Sequence, residues 1–203
     1  MRNFGSIKVA ILLIAVLVAG GMAQDSPAIR GELLEMERVD QDARIKCTTG
    51  SAEEQTRCLA VISVKIDTPN SKRLREIFAR IGFPNTKKVG REGLQAFMIL
   101  LQHDPADELR TKCLKPIKAA FKNDEIPPMD YANFVDRLRL HQGKKQLYGS
   151  GFDFKDGKMV LSPTEDIKNL EKRRARIGLP TLAEYIKGMQ DLYHLEVVVP
   201  KYQ

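Results

Sequence analysis

The sequence predicts a mainly α protein, a compact bundle of seven or eight helices with one small β-hairpin. Three observations predict it. Apolar residues recur at helical spacing along most of the chain. Two helical stretches stop in the near-identical runs RIGFP (Arg80–Pro84) and RIGLP (Arg176–Pro180), each pairing a glycine with a proline where a helix ends. A late stretch, QLYGSGFDFKDGKMVLSP, instead alternates with period two around Asp156-Gly157, the signature of a hairpin turn. At 203 residues and 43% hydrophobic content, the chain is long enough for one domain with a sizeable core. Tryptophan is absent, so Leu, Ile, Val and Met must fill most of that core.

The elements follow in order. Residues 1–23 have a basic start at Arg2 and Lys8, an apolar run from Val9 to about Val18, and small residues at Gly21 and Ala23. This is the layout of a secretory signal peptide, which leaves residues 24–203 as a single helical domain. The competing reading is an uncleaved anchor, but the run is shorter than the roughly 20 residues of a spanning helix. Export to the periplasm or the medium is expected, with no membrane span after cleavage.

The first helix, AIRGELLEMERVDQDARIKC, should bury Ile29, Leu33, Leu34 and Met36, then Val39 and Ile45. A second, SAEEQTRCLAVISVKID, gathers acids at its start, as the helix dipole favours. A third, TPNSKRLREIFARIGFP, puts Leu74, Ile77, Phe78 and Ile81 at core spacing. The stretch VGREGLQAFMILLQHDP is apolar nearly all round from Leu94 to Leu101 and should be the most buried helix. PADELRTKCLKPIKAAFKND follows, with Pro116 as a point of bending. A helix from about Met129 to His141 precedes the hairpin, and TEDIKNLEKRRARIGLP and TLAEYIKGMQDLYHL supply the last two. The final EVVVPKYQ either adds a short strand or trails free.

Three cysteines are present. In an exported chain Cys47 and Cys58 are natural disulfide partners, worth about 3 kcal/mol. Cys113 is left over, either as a buried apolar thiol or for pairing with another molecule.

The formal charge of +7 falls to +5 once Arg2 and Lys8 leave with the signal peptide. Basic and acidic residues are interspersed, as on solvated helix faces, and basic stripes interleaved with aromatics are missing, so no nucleic-acid partner is expected. The sequence has no HExxH, no paired CxxC motifs, no calcium loop and no phosphate-cradling or dinucleotide glycine loop. No metal and no cofactor is expected on those grounds.

Two places carry candidate chemistry. His103 closes the most apolar helix beside Asp104, and a His–Asp pair forms a general base with its orienter; a lone histidine at a helix end also serves as a structural contact. In YANFVDRLRLH, Tyr131, Phe134, Val135 and Leu138 form one apolar stripe with Asp136 roughly opposite. Ala132 and Leu140 share the Asp136 face, so that carboxylate is either half-buried and in need of a partner, or a local cap. Arg137 points about 100° away from Asp136 and serves a different contact. Gln146, Tyr148 and the surrounding glycines mark a bulge or a close approach by a ligand.

These stretches together resemble a known family. Gln102-His103 followed by Asp104-Pro105 and Cys113, then Tyr131 with VDR, GKKQLYG and RRARIGLPTLAEY, is similar to the bacterial family called domain of unknown function 6624. VKIDTPNSKRLREIFARIGFP and VGREGLQAFMILLQH fit its earlier part. The resemblance spans about Glu32 to Gln190. It implies a bacterial, hence periplasmic or secreted, protein whose matching polar positions are Asp67, Asn70, Gln102, His103, Asp136, Arg137, Gln146, Tyr148 and Gly149. Where the family continues Tyr-Gly with a polar residue and a glutamine, this chain has Ser150 and Gly151.

Polar groups supplied by three separate segments are how a pocket is made, and equally how a buried structural network is made. Two functions follow. The first is binding of a small polar or anionic ligand, or a protein partner, with Arg137 as the anion contact and Asp136, Gln146 and Tyr148 as hydrogen-bond partners. The second is a hydrolase with His103 as general base and Asp136 either orienting it or polarising water.

Overall fold

The computed structural model describes residues 26–200; the expected signal peptide lies outside them. The described residues form eight α-helices and a small three-stranded sheet. None of these helices is long and apolar enough to cross a membrane.

Helix α1 (Ser26–Lys46) packs along α4 (Thr86–Gln102) and buries Ile29 and Leu33 there. Val39 and Ile45, expected on the same face, are 42% and 62% exposed. The stripe set by residues 29, 33 and 36 continues at 40, not 39, so Asp40 is the side chain turned inward, at 0% exposure. Arg44 and the buried Cys47 follow on that side, and Cys47 closes a disulfide to Cys58.

Helix α2 (Ala52–Ile62) starts with a reciprocal capping box between Ser51 and Glu54. The expected break between the second and third helices is a widened π turn, Ser63–Asp67, that runs directly into α3 (Thr68–Ile81). Pro69 explains the widening. It has no N–H to donate, and its ring clashes with the carbonyl four residues earlier, so an ordinary turn is excluded there. Thr68 N–H instead reaches back five residues to Ser63.

Helix α4 is interrupted near its start by Gly90, whose φ of +72° favours glycine. Beyond it, Leu94, Phe97, Met98, Leu100 and Leu101 are essentially solvent-free, as expected. Helix α5 (Asp107–Lys122) runs through Pro116, and α6 (Pro128–His141) packs on both α4 and α5.

Strands β1 (Phe152–Lys155) and β2 (Lys158–Leu161) make the expected hairpin; Asp156 and Gly157 both have positive φ in its turn. The C-terminal strand β3 (Val197–Val198) pairs parallel to β2, completing the order β1-β2-β3. A short 3₁₀ turn (Ile167–Asn169), α7 (Leu170–Arg176) and α8 (Leu182–Tyr193) lie between β2 and β3. Gly82 and Gly178, from the two RIG runs, both have positive φ at helix ends. Helix-stop chemistry accounts for the echo between those runs.

Most of the core lies among α1 and α3–α6, and a smaller apolar cluster forms around Leu161, Leu170 and Leu182. The cavity described next lies between the helical bundle and the unit of hairpin and α8.

Candidate functional site

Helix α6 explains most of the site, because its residues divide into three faces. Tyr131, Phe134, Val135 and Leu138 enter the main core. Ala132 and Asp136 turn toward the loop at 147–150 and are fully buried. Asn133, Arg137 and His141, one turn apart, line the cavity.

Asp136 holds the loop. Its Oδ1 accepts from the N–H of Leu147 at 2.6 Å and of Tyr148 at 3.0 Å, and its Oδ2 accepts from the N–H and hydroxyl of Ser150 at 3.0 and 2.9 Å. Burial pushes its carboxyl pKa up, and these donors pull it back. The turn depends on Gly149, whose φ is +68° and whose missing Cβ would meet Leu170 at 3.2 Å.

Gln146 acts similarly. At 0% exposure it donates to Ser162 O and Thr164 Oγ1 and accepts from Gly151 N–H. From the other side, Arg173 donates to Leu147 O at 2.8 Å and Arg174 to Tyr148 O at 2.5 Å. Tyr148 packs on the main core beside Tyr131. Asp136, Gln146 and Tyr148 therefore shape the chain beside the cavity, while Ser150 and Gly151 of the same loop line it.

The cavity has a volume of about 560 Å³. Arg137 lines it, and burial together with Arg110 and Arg44 lowers its pKa. Its side chain is nevertheless solvent-accessible. That exposure is through the cavity, which the side chain lines. Among the described residues it makes no hydrogen bond and no ion pair, and the amides of Gln102 and Asn133, which also line the cavity, make none either.

Beside Arg137 lies a second group. Arg44 bridges Asp40 and Asp67, both buried. His103 Nδ1 is 3.0 Å from Asp40 Oδ2, with the ring N–H out of line with that contact. His103 lines the cavity and its Nδ1 is buried, so the open part of the ring is its Nε2 edge. Burial lowers the His103 pKa despite the pull of Asp40, so the imidazole is neutral at pH 7. Burial also pushes Asp40 up, but His103 and Arg44 outweigh it and hold the carboxyl at about 2.

The corner carrying His103 is held from two sides. Asp104 accepts from Ser71 at 2.6 Å and pairs with Arg75 at 3.1 Å. Arg110, at 0% exposure, donates to the carbonyls of Gln102 and Asp104 and lies 2.8 Å from His141 Nδ1.

Asp40, Asp67 and His103 are ligand types for a divalent cation, with donor atoms within 4.8 Å of one another. Local spacing gave no sign of this group, because its members are 27 and 36 residues apart in the chain. The guanidinium of Arg44 bridges both carboxylates and offsets one of their two charges.

A family model described as a family of unknown function (DUF6624) matches residues 27–198. The chain belongs to that family. Neither the curated proteins nor the solved structures contain a match to it. Of the positions that the resemblance to DUF6624 singled out, Asp67, Gln102, His103 and Arg137 line the cavity, Asp136, Gln146, Tyr148 and Gly149 build the loop beside it, and Asn70, on α3, does neither. The DUF6624 resemblance did not include Asp40 or Arg44. Their signal was a carboxylate on the apolar stripe of α1 with an arginine four residues on.

Proposed function

We propose that this DUF6624 member is an exported domain whose cavity binds a small anion, with Arg137 as the anchor and Gln102 and Asn133 as neutral donors. One observation carries the reading: Arg137 lines the cavity, is exposed there, and has no hydrogen bond or ion pair among the described residues. A cavity guanidinium held in no ion pair contributes little to folding, so an apolar side chain there would serve folding as well. Guanidinium matches carboxylate and phosphate oxygens through paired N–H donors. The Cys47–Cys58 disulfide supports an oxidising compartment, and hence export.

The test is Arg137→Met. Its unfolding free energy should equal that of the wild type or exceed it by up to about 1 kcal/mol. The rise in Tm that acetate, phosphate or sulfate gives the wild type should disappear. A variant that loses about 2 kcal/mol or more and still responds to these anions would make Arg137 structural.

A second reading, hydrolysis, has its own observation. His103 is neutral, open to the cavity at Nε2 and backed at Nδ1 by a carboxylate. That carboxylate is Asp40, whereas Asp136 has the loop donors as partners. In this reading His103 draws a proton from water, since the Ser150 and Ser162 hydroxyls donate to Asp136 and Asp153. It requires 4-nitrophenyl acetate turnover that both His103→Gln and Asp40→Asn abolish; equal rates in the variants end it.

A further inference from the structure

We propose that the cavity takes an amphiphilic monoanion, a carboxylate carried on an aromatic group. This rests on the anion-binding reading and names its ligand class. Two features converge on it, the charge balance of the cavity and the division of its walls.

Charge comes first. Arg44 sets one positive charge against the two negative charges of Asp40 and Asp67, which leaves that group one net negative charge; Asp104 pairs with Arg75, and Arg110 pairs with Asp107. Burial lowers the pKa of both His103 and His141, keeping them neutral at pH 7. Asp153 is on the exposed edge of β1, where water screens it. Arg137 lines the cavity and has no hydrogen bond or ion pair among the described residues. One carboxylate pairs with that guanidinium, whereas a dianion would set a second negative charge against the surplus on Asp40 and Asp67. A carboxylate also fits the flat fork of a guanidinium in a bidentate pair, with Gln102 and Asn133 able to donate beside it.

The walls come second. The ionic and amide groups around Arg137 come from the bundle: α1, the π turn, α4 and α6. The facing wall comes from the C-terminal unit. Phe152 and Phe154 lie two residues apart on one face of β1, and Tyr185, Met189 and Tyr193 lie four apart along one stripe of α8. The strand face and the helix stripe interlock, with Phe152 against Tyr185 and Phe154 against Tyr193, each pair at 5.9 Å between ring centres. An aromatic and thioether surface thus faces the unpaired Arg137 in a cavity of about 560 Å³. A small inorganic anion would leave that wall wetted, whereas an aryl group would cover it, with Met189 adapting to its shape.

The experiment is titration calorimetry on the purified protein with 4-phenylbutyrate, 4-phenylbutyramide, acetate and inorganic phosphate. Wild type, Arg137→Gln, Phe154→Ala and Met189→Ala are compared, each checked for native circular dichroism. Phenylbutyrate should bind roughly a hundredfold tighter than acetate, from burying one ring, and at least about tenfold tighter than its amide. Arg137→Gln should erase the preference for acid over amide. Phe154→Ala and Met189→Ala should weaken phenylbutyrate and leave acetate unchanged. The proposal is overturned if acid and amide bind alike, if acetate matches phenylbutyrate, or if phosphate binds tighter than either carboxylate. Arg137-dependent binding of acetate or phosphate would in those cases keep the broader anion-binding reading. Failure of all four compounds with the wild type overturns both.

Discussion

Asp136→Asn tests whether the loop beside the cavity is held by charge-assisted hydrogen bonds. The side chain is fully buried, so water cannot replace a lost partner. In its best placement, asparagine keeps its oxygen at Oδ1 and still accepts from Leu147 and Tyr148. Its NH₂ then takes the place of Oδ2 and faces the N–H of Ser150, donor against donor. The Ser150 hydroxyl can rotate to accept, but the backbone N–H cannot. One orphaned buried N–H costs about 1–3 kcal/mol, and two bonds that change from a charged to a neutral acceptor lose about 1 kcal/mol each. Removing a charge that burial penalises returns part of this. The net expectation is a loss of about 2–4 kcal/mol, a large share of the roughly 5–15 kcal/mol that holds a domain together. Urea unfolding under oxidising conditions, with the m-value unchanged, measures it. A variant within about 0.5 kcal/mol of the wild type would refute the reasoning, because an uncompensated buried donor cannot be that cheap.

Other expectations follow from the same accounting. Asp40 has a folded pKa of about 2 against an ordinary 3.8. The unfolded chain therefore takes up that proton first, and the stabilisation, complete above about pH 4, is lost as pH falls toward 2, roughly 2 kcal/mol in all. Asp40→Asn should flatten that part of the acid-unfolding curve relative to the wild type, and an unchanged slope would contradict it. Replacing both Cys47 and Cys58 by serine should lower the unfolding free energy by about 3 kcal/mol, since the bridge closes a short loop; a loss under about 1 kcal/mol would show that the unfolded chain gains little freedom. Burial pushes the Cys113 thiol up to about 12, so the native protein should resist a disulfide-exchange reagent at pH 8 and react only after denaturation. Immediate labelling of the native protein would place that thiol at the surface.

Much of the fold was legible because it is local. Helix period, the two RIG stops and the Asp156-Gly157 turn each depend on residues close in the chain, and the elements formed where those signals stood. Two local readings shifted for reasons that are also local. Val39 lost its place in the core to Asp40 by one step of helical phase, and Pro69 turned an expected break into a π turn.

The candidate residues could be picked out in the sequence, but not what each of them meets. The sequence by itself determined that Asp136 has a partly apolar face and that Arg137 points elsewhere, because a turn of 100° per residue separates adjacent side chains whatever surrounds them. Only the tertiary structure decided that the first face meets the loop at 147–150 and the second an open cavity. It also decided that the partner of His103 is Asp40, from a helix 63 residues earlier. Periodicity reports which way a side chain leaves its own helix. What it meets depends on how distant segments pack, and neither burial nor charge pairing between them leaves a repeat to read in the chain.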